Sequence, residues 1–259
     1  MKLVILAGGL GTRIAEESET KPKPMVEVGG RPLLWHIMKT YAHYGVTDFV
    51  ICLGYKGYVI KEFFMNYQRH LSDIEISLKD GSYRVLDSQS EDWKVTLVDT
   101  GAETMTGGRL KRVAPYLGNE TFCMTYGDGL ADVDLAAEFA FHKGHGRAAT
   151  VLAVQPPGRF GVLEIEDEAG GVSSFQEKPS DEIGWINGGF FVLEPEVIDY
   201  IDGDATSFEQ EPLKNLARDG KLAAFRHDGF WHPCDTLRDK RHLEKLWAGG
   251  NAPWRTFAR

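Results

Sequence analysis

Met1-Lys-Leu-Val-Ile-Leu-Ala-Gly-Gly-Leu-Gly-Thr-Arg13 opens the chain, and Lys21-Pro-Lys-Pro24 follows closely. The apolar run 3–6 reads as a buried strand. It leads directly into a loop with Gly8, Gly9 and Gly11, where the missing Cβ lets the backbone turn sharply and approach a ligand. Loops at the carboxyl ends of parallel strands are where open α/β sheets bind ligands. Successive main-chain N–H groups in such a loop can cradle phosphate. Arg13 and Lys23 bring two cations to the same region. Leu6, Ala7, Gly8, Gly9, Leu10, Gly11, Thr12 and Arg13, with Lys23, therefore form a candidate nucleotide-phosphate site.

Two common phosphate loops do not fit. The dinucleotide fingerprint G-x-G-x-x-G needs a glycine where this chain has Ile14. The P-loop string G-x-x-x-x-G-K-[ST] is absent, since Gly220-Lys221 is followed by Leu222. What remains is G-G-x-G-T-R, with Lys23 inside Pro-Lys-Pro.

Working outward, the 259 residues suffice for one large α/β domain or two small ones. No repeat, low-complexity linker or composition break divides them, so 1–259 reads as a single domain. The 42% hydrophobic and 26% charged content is ordinary for a globular protein. No apolar run reaches the roughly 18 to 20 residues of a membrane span, and no signal-peptide layout precedes the first strand. Cys52, Cys123 and Cys234 are odd in number and far apart, which points to reduced thiols in a cytoplasmic protein. The net charge of −9 argues against a nucleic-acid surface. It also means that a protein handling polyphosphate must concentrate its cations locally and recruit a divalent metal.

The pattern predicts helices over 31–43, 59–67, 107–116, 134–142, 195–201, 209–218 and 237–247, the fourth capped by Asp134. It predicts strands over 48–53, 74–78, 95–98, 122–126, 150–154, 162–165, 172–176 and 188–193. The polar stretch 79–94 reads as a hairpin or flap. The β-α alternation implies a Rossmann-like, mainly parallel sheet with helices on both faces. The strand-rich middle reads as an added antiparallel layer that helps to form a sugar pocket.

Several constellations carry chemistry. Asp128, in Tyr126-Gly127-Asp128-Gly129 after a strand, is either a turn residue or a carboxylate for Mg²⁺. Asp235, before the last long helix, is either its N-cap or a second carboxylate for the same metal. His232 lacks a second His or Cys at zinc-ligand spacing. Lys178, in Glu177-Lys178-Pro179, is a candidate phosphate clamp. Asn187 and Gly188 open a strand with an amide able to bond sugar hydroxyls, or with a bulge. Thr104, Gly108 and Arg109 lie in a Thr- and Gly-rich helix start that can present N–H groups to a base or ribose. Lys111 and Arg112 read as a solvated helix face. No Gly-x-Ser-x-Gly string supports serine hydrolase chemistry.

In chain order, G-G-x-G-T-R, P-K-P, Thr106-Gly-Gly, Gly127-Asp, Glu177-Lys-Pro, Asn187-Gly-Gly and Asp235-Thr resemble the sugar-phosphate nucleotidylyltransferases over nearly the whole chain. Lys21-Pro-Lys-Pro-Met-Val-Glu, Gly54-Tyr-Lys-Gly-Tyr-Val-Ile60, Pro157-Gly-Arg-Phe-Gly161 and 231–238 resemble, more narrowly, the glucose-1-phosphate cytidylyltransferase branch. The acidic Ala15-Glu-Glu-Ser-Glu-Thr20, in place of the Pro-Leu-Thr of many relatives, agrees with that branch. The resemblance implies the nucleotide-diphospho-sugar transferase fold and a reaction of CTP with α-D-glucose 1-phosphate to CDP-glucose and pyrophosphate. It implies Mg²⁺ on Asp128 and Asp235, with Arg13, Lys23, Asp128 and Asp235 as the catalytic set. The glycine loop, Thr104, Gly108, Arg109 and Gly127 would bind nucleotide, and Glu177, Lys178, Asn187 and Gly188 the sugar phosphate. It implies a homo-oligomer, a hexamer in the family pattern, with no nucleic-acid or membrane partner, serving dideoxysugar and lipopolysaccharide O-antigen biosynthesis. The rival readings are the same chemistry with UTP or dTTP, and a non-catalytic homologue.

Overall fold

The computed structural model describes residues 1–9, 14, 19–155, 162–165, 172–176 and 184–258. Leu10, Gly11, Thr12, Arg13, the 157–161 string, Glu177 and Lys178 lie outside the described residues.

Seven strands form the central sheet: β1 (Lys2–Leu6), β2 (Asp48–Leu53), β3 (Lys94–Asp99), β4 (Phe122–Tyr126), β5 (Ala149–Val154), β6 (Ile186–Leu193) and β7 (Leu222–His227). Their spatial order is β7-β5-β6-β4-β1-β2-β3. Strand β1 lies parallel between β2 and β4, with Leu3 opposite Phe49 on one side and Cys123 on the other. Only β6 runs antiparallel to its neighbours, β5 and β4.

The sheet is covered on both faces, and the side-chain period of two divides each strand between two cores. Leu3 and Ile5 of β1, with Phe49 and Ile51 of β2, enter one core; Val4 and Leu6, with Val50 and Cys52, enter the other. Helix α1 (Leu33–His43) closes the first face with Leu33, Leu34, Ile37, Met38 and Tyr41 at helical spacing. Helix α3 (Thr106–Leu117) closes the second with Leu110, Val113 and Leu117. Among the described residues the other α-helices are α2 (Gly57–Leu71), α4 (Leu135–His145), α5 (Glu211–Arg218) and α6 (Leu237–Ala248). Asp134 caps α4 as expected, accepting the Ala137 N–H at 3.0 Å.

Several expectations shift. Helix α1 starts at Leu33 because Arg31–Pro32 pairs with Glu27–Val28 in a small ribbon. The hairpin expected within 79–94 instead joins Ser72–Ile76 to Tyr83–Ser88. The turn Pro195–Tyr200 is a 3₁₀ helix. The added antiparallel layer is smaller than expected, since β5 and β6 belong to the central sheet. Of the four strands expected in that layer, Val162–Ile165 and Val172–Gln176 alone pair outside the central sheet, as a separate ribbon. Strand β7 and a short ribbon of Gly129–Ala131 with Trp231–Pro233 have no counterpart in the sequence reading.

Candidate active site

Because β1 and β4 are parallel neighbours with Leu6 opposite Tyr126, their carboxyl ends emerge together. The Gly127 N–H donates to the Leu6 carbonyl at 3.2 Å, which sets Asp128 beside the glycine loop. A cleft of about 550 Å³ opens there, walled by residues 6–9, Lys23, residues 102–106 and residues 126–128.

The short ribbon explains how Asp128 and Asp235 meet. Gly129 pairs with Pro233, and the Cys234 N–H donates to the Asp128 carbonyl at 2.9 Å. Both carboxylates then converge on Lys23, whose Nζ lies 2.6 Å from Asp128 Oδ2 and 2.5 Å from Asp235 Oδ1. Burial disfavours the ammonium, but Asp128 and Asp235 outweigh it and hold its pKa above the ordinary lysine value. Lys23 is held in a 3₁₀ turn, Lys23–Met25, that follows Pro22.

Asp235 does not cap α6. Thr236 does, in a capping box with Asp239, whose Oδ2 also accepts the Asp235 N–H at 3.1 Å. The Asp235 side chain is thereby left to the ion triad. Cys234 is fully buried and its thiol is pushed up to about 12 by burial, so it supplies no thiolate. Among the described residues no group of three His, Cys, Asp or Glu side chains is placed to hold a metal. Two carboxylates that already share one cation do suit Mg²⁺, which takes one or two carboxylates and completes its shell with water and phosphate oxygens.

The opposite wall is built by Arg109. Its buried guanidinium donates to the Leu53, Gly8 and Ala102 carbonyls at 3.1 Å each and to Thr100 Oγ1 at 2.8 Å. Arg109 thus spends these donors on protein oxygens and fixes the glycine loop against the 102–106 segment. A Cβ at position 8 would lie 2.0 Å from Arg109 Nη1, so a larger residue there would displace this guanidinium from its carbonyl partners. Thr104 faces the cleft. At Gly108 the space before its Cα is filled by the Asp204 backbone at 2.6 Å, where α3 packs closely.

Of the residues assigned to the sugar end, Asn187 is exposed at the rim. Gly188 is a packing position, because a Cβ would meet Val154 Cγ1 at 2.9 Å and the Leu152 carbonyl at 3.1 Å. The sequence reading missed two rim residues, Tyr126 and Glu209. The Tyr126 hydroxyl donates to Glu209 Oε1 at 2.6 Å and accepts from Asn187 Nδ2 at 3.3 Å. Tyr126 was legible only as the residue before Gly127-Asp128; Glu209 carried no signal. Lys111 and Arg112 lie on an exposed helix face as expected, Arg112 paired with Asp204 at 2.6 Å.

The Nucleotidyl transferase family matches residues 2–236. Glucose-1-phosphate cytidylyltransferase of Salmonella typhi is 60% identical over 258 residues, covering 99% of this chain and 100% of its own. The probable glucose-1-phosphate cytidylyltransferase of Bacillus subtilis (strain 168) is 46% identical with the same coverage. Among solved structures, HddC from Yersinia pseudotuberculosis is similar at a TM-score of 0.69 and 26% identity, over 95% of this chain and 99% of its own. Among the described residues no helix is long and apolar enough to cross a membrane. A parallel-strand cleft beside the buried contact of Lys23 with Asp128 and Asp235, and these full-length likenesses, lead to one assignment: the chain belongs to the nucleotidyl transferase family, within its glucose-1-phosphate cytidylyltransferase branch.

Proposed function

We propose that the protein transfers the cytidylyl group of CTP to α-D-glucose 1-phosphate, releasing pyrophosphate and CDP-glucose. The observation that carries this reading is the 60% identity, over the full length, to the Salmonella cytidylyltransferase. The convergence of Lys23, Asp128 and Asp235 on one cleft agrees with it.

The attacking phosphate oxygen is ionised at neutral pH, so the reaction needs no strong general base. Catalysis is positioning and charge neutralisation during in-line attack at the α-phosphorus. Main-chain groups of Gly8 and Gly9 cradle the nucleotide, with Arg109 holding the Gly8 carbonyl in place. Thr104 faces the cytidine end. Lys23 is fully charged at working pH and meets the α-phosphate. Asp128 and Asp235 would hold Mg²⁺, which when bound would offset the charge of the two phosphate-bearing substrates. Asn187 contacts glucose hydroxyls. By resemblance, Arg13 neutralises the leaving pyrophosphate, Lys178 holds the sugar phosphate and Glu177 binds glucose. Three free, buried cysteines support a reducing, cytoplasmic location.

The test is kcat/KM for CTP, UTP, dTTP and ATP with glucose 1-phosphate. The glycine loop and the 102–106 segment offer few side chains that read a base edge, so main-chain groups must do so. A carbonyl paired to the cytosine amine would face an unpaired oxygen in UTP, at about 1 to 3 kcal/mol, or roughly 5- to 150-fold in favour of CTP. UTP or dTTP equal to CTP would leave the broader pyrophosphorylase activity standing and remove the cytidylyl assignment.

A further inference from the structure

Four segments far apart in the chain meet at the cleft rim in one directed hydrogen-bond chain. The Glu209 carboxylate accepts the Tyr126 hydroxyl on Oε1 at 2.6 Å, and the hydroxyls of Thr106 and Ser207 on Oε2 at 2.5 and 2.7 Å. Burial opposes its ionisation, but these donors outweigh that effect and hold Glu209 below the usual carboxylate range. An ionised carboxylate only accepts, so the single Tyr126 proton is committed to Glu209. Towards Asn187 the Tyr126 oxygen can therefore only accept, and it takes the Nδ2 donor at 3.3 Å. The other end agrees, because Asn187 Oδ1 accepts the Gly189 N–H at 2.8 Å. One N–H and one lone pair of the exposed Asn187 amide have no partner among the described residues.

We propose that Glu209 is a positioning residue for the sugar subsite, acting through the Tyr126 hydroxyl to hold the Asn187 amide in the one orientation that offers glucose this donor and acceptor. The proposal rests on Asn187 meeting the sugar. The Tyr126 ring is itself fixed: Gly189 has φ +81°, and a Cβ there would lie 2.5 Å from Tyr126 Cδ2. The hydroxyl therefore has little freedom to reach other partners.

Steady-state kinetics with CTP and glucose 1-phosphate test this in Glu209→Gln, Tyr126→Phe, the double variant and Asn187→Ala. In Glu209→Gln the new amide donates to Tyr126, which turns the tyrosine proton against the Asn187 N–H. Tyr126→Phe removes one oxygen and keeps the packing. Each should raise KM for glucose 1-phosphate about five- to tenfold, with kcat and KM for CTP changed less than about twofold, the size of one neutral hydrogen bond. The double variant should be no worse than Tyr126→Phe, because both break the same chain. Additive losses, equal losses for both substrates, or no change in Tyr126→Phe would overturn the proposal. Asn187→Ala separates it from the reading beneath it. If that variant alone weakens glucose 1-phosphate, Asn187 keeps its sugar contact and Glu209 loses its role. If Asn187→Ala has no effect, the sugar-subsite assignment itself is wrong.

Discussion

At the residue scale the triad has an asymmetry that mutation exposes. Lys23 now balances two carboxylates, so Asp128→Asn or Asp235→Asn leaves a neutral pair with the ammonium still bonded. Each variant should fold normally and lose most turnover, and near-normal rates at saturating Mg²⁺ would remove that carboxylate from the metal-binding role. A second buried acid behaves differently. Glu138 is 1% exposed, its Oε1 has no hydrogen-bond partner, and burial pushes its pKa up to about 8, with the charge of His227 acting weakly the other way. Its folded pKa exceeds its unfolded value of 4.5, so its neutral form adds nothing adverse below about 4.5, and stability falls as pH rises towards about 8. Glu138→Gln should therefore melt like the parent at pH 5 and be more stable at pH 9, by about 1 to 3 kcal/mol. Equal melting temperatures at pH 9 would show that Glu138 finds a partner when ionised.

At the element scale, what was legible follows from how far each signal reaches. The strands β1, β2 and β4 are buried on both faces, so their apolar runs stand out locally. The ribbon joining Gly129–Ala131 to Trp231–Pro233 has three residues a side and ends in a proline. Nothing in either segment names its partner, yet that pairing brings Asp128 to Asp235. Tyr126, Asn187 and Glu209 are likewise single polar residues whose meaning appears only when the sheet order is known. Arg109 was legible as a cation beside a glycine pair, but not as the clamp between β1, β2 and the 102–106 segment. That clamp needs a planar fork, which lysine lacks. Arg109→Lys should lower stability by about 1 to 3 kcal/mol, since several buried carbonyls lose donors. It should also raise KM for CTP more than KM for glucose 1-phosphate. A thermal melt and two-substrate kinetics check both, and an unchanged KM for CTP would leave Arg109 a stability residue alone.

At the scale of the whole molecule, one flank exposes a group of large apolar side chains. The hairpin of Ser72–Ile76 and Tyr83–Ser88, its turn and α2 present Met65, Ile76, Leu78 and Leu86, with Leu78 94% exposed. Strand β3 forms an open sheet edge beside them. Exposed apolar clusters of this kind mark association surfaces, which makes this flank the place to test the expected homo-oligomer. Light scattering should give an oligomer for the parent and a smaller species for Leu78→Lys with Leu86→Lys; an unchanged mass would move the interface elsewhere. The triad also has a consequence in time. Lys23 lies 105 residues from Asp128 and 212 from Asp235, so the contact closes two long loops. Contacts between such distant positions form late and slowly. During refolding from denaturant, far-ultraviolet dichroism should recover before catalytic turnover, because helices and neighbouring strands assemble while the three charged ends are still finding one another. A growing chain on the ribosome meets the same order: Lys23 waits, without its second counter-ion, until Asp235 has been made.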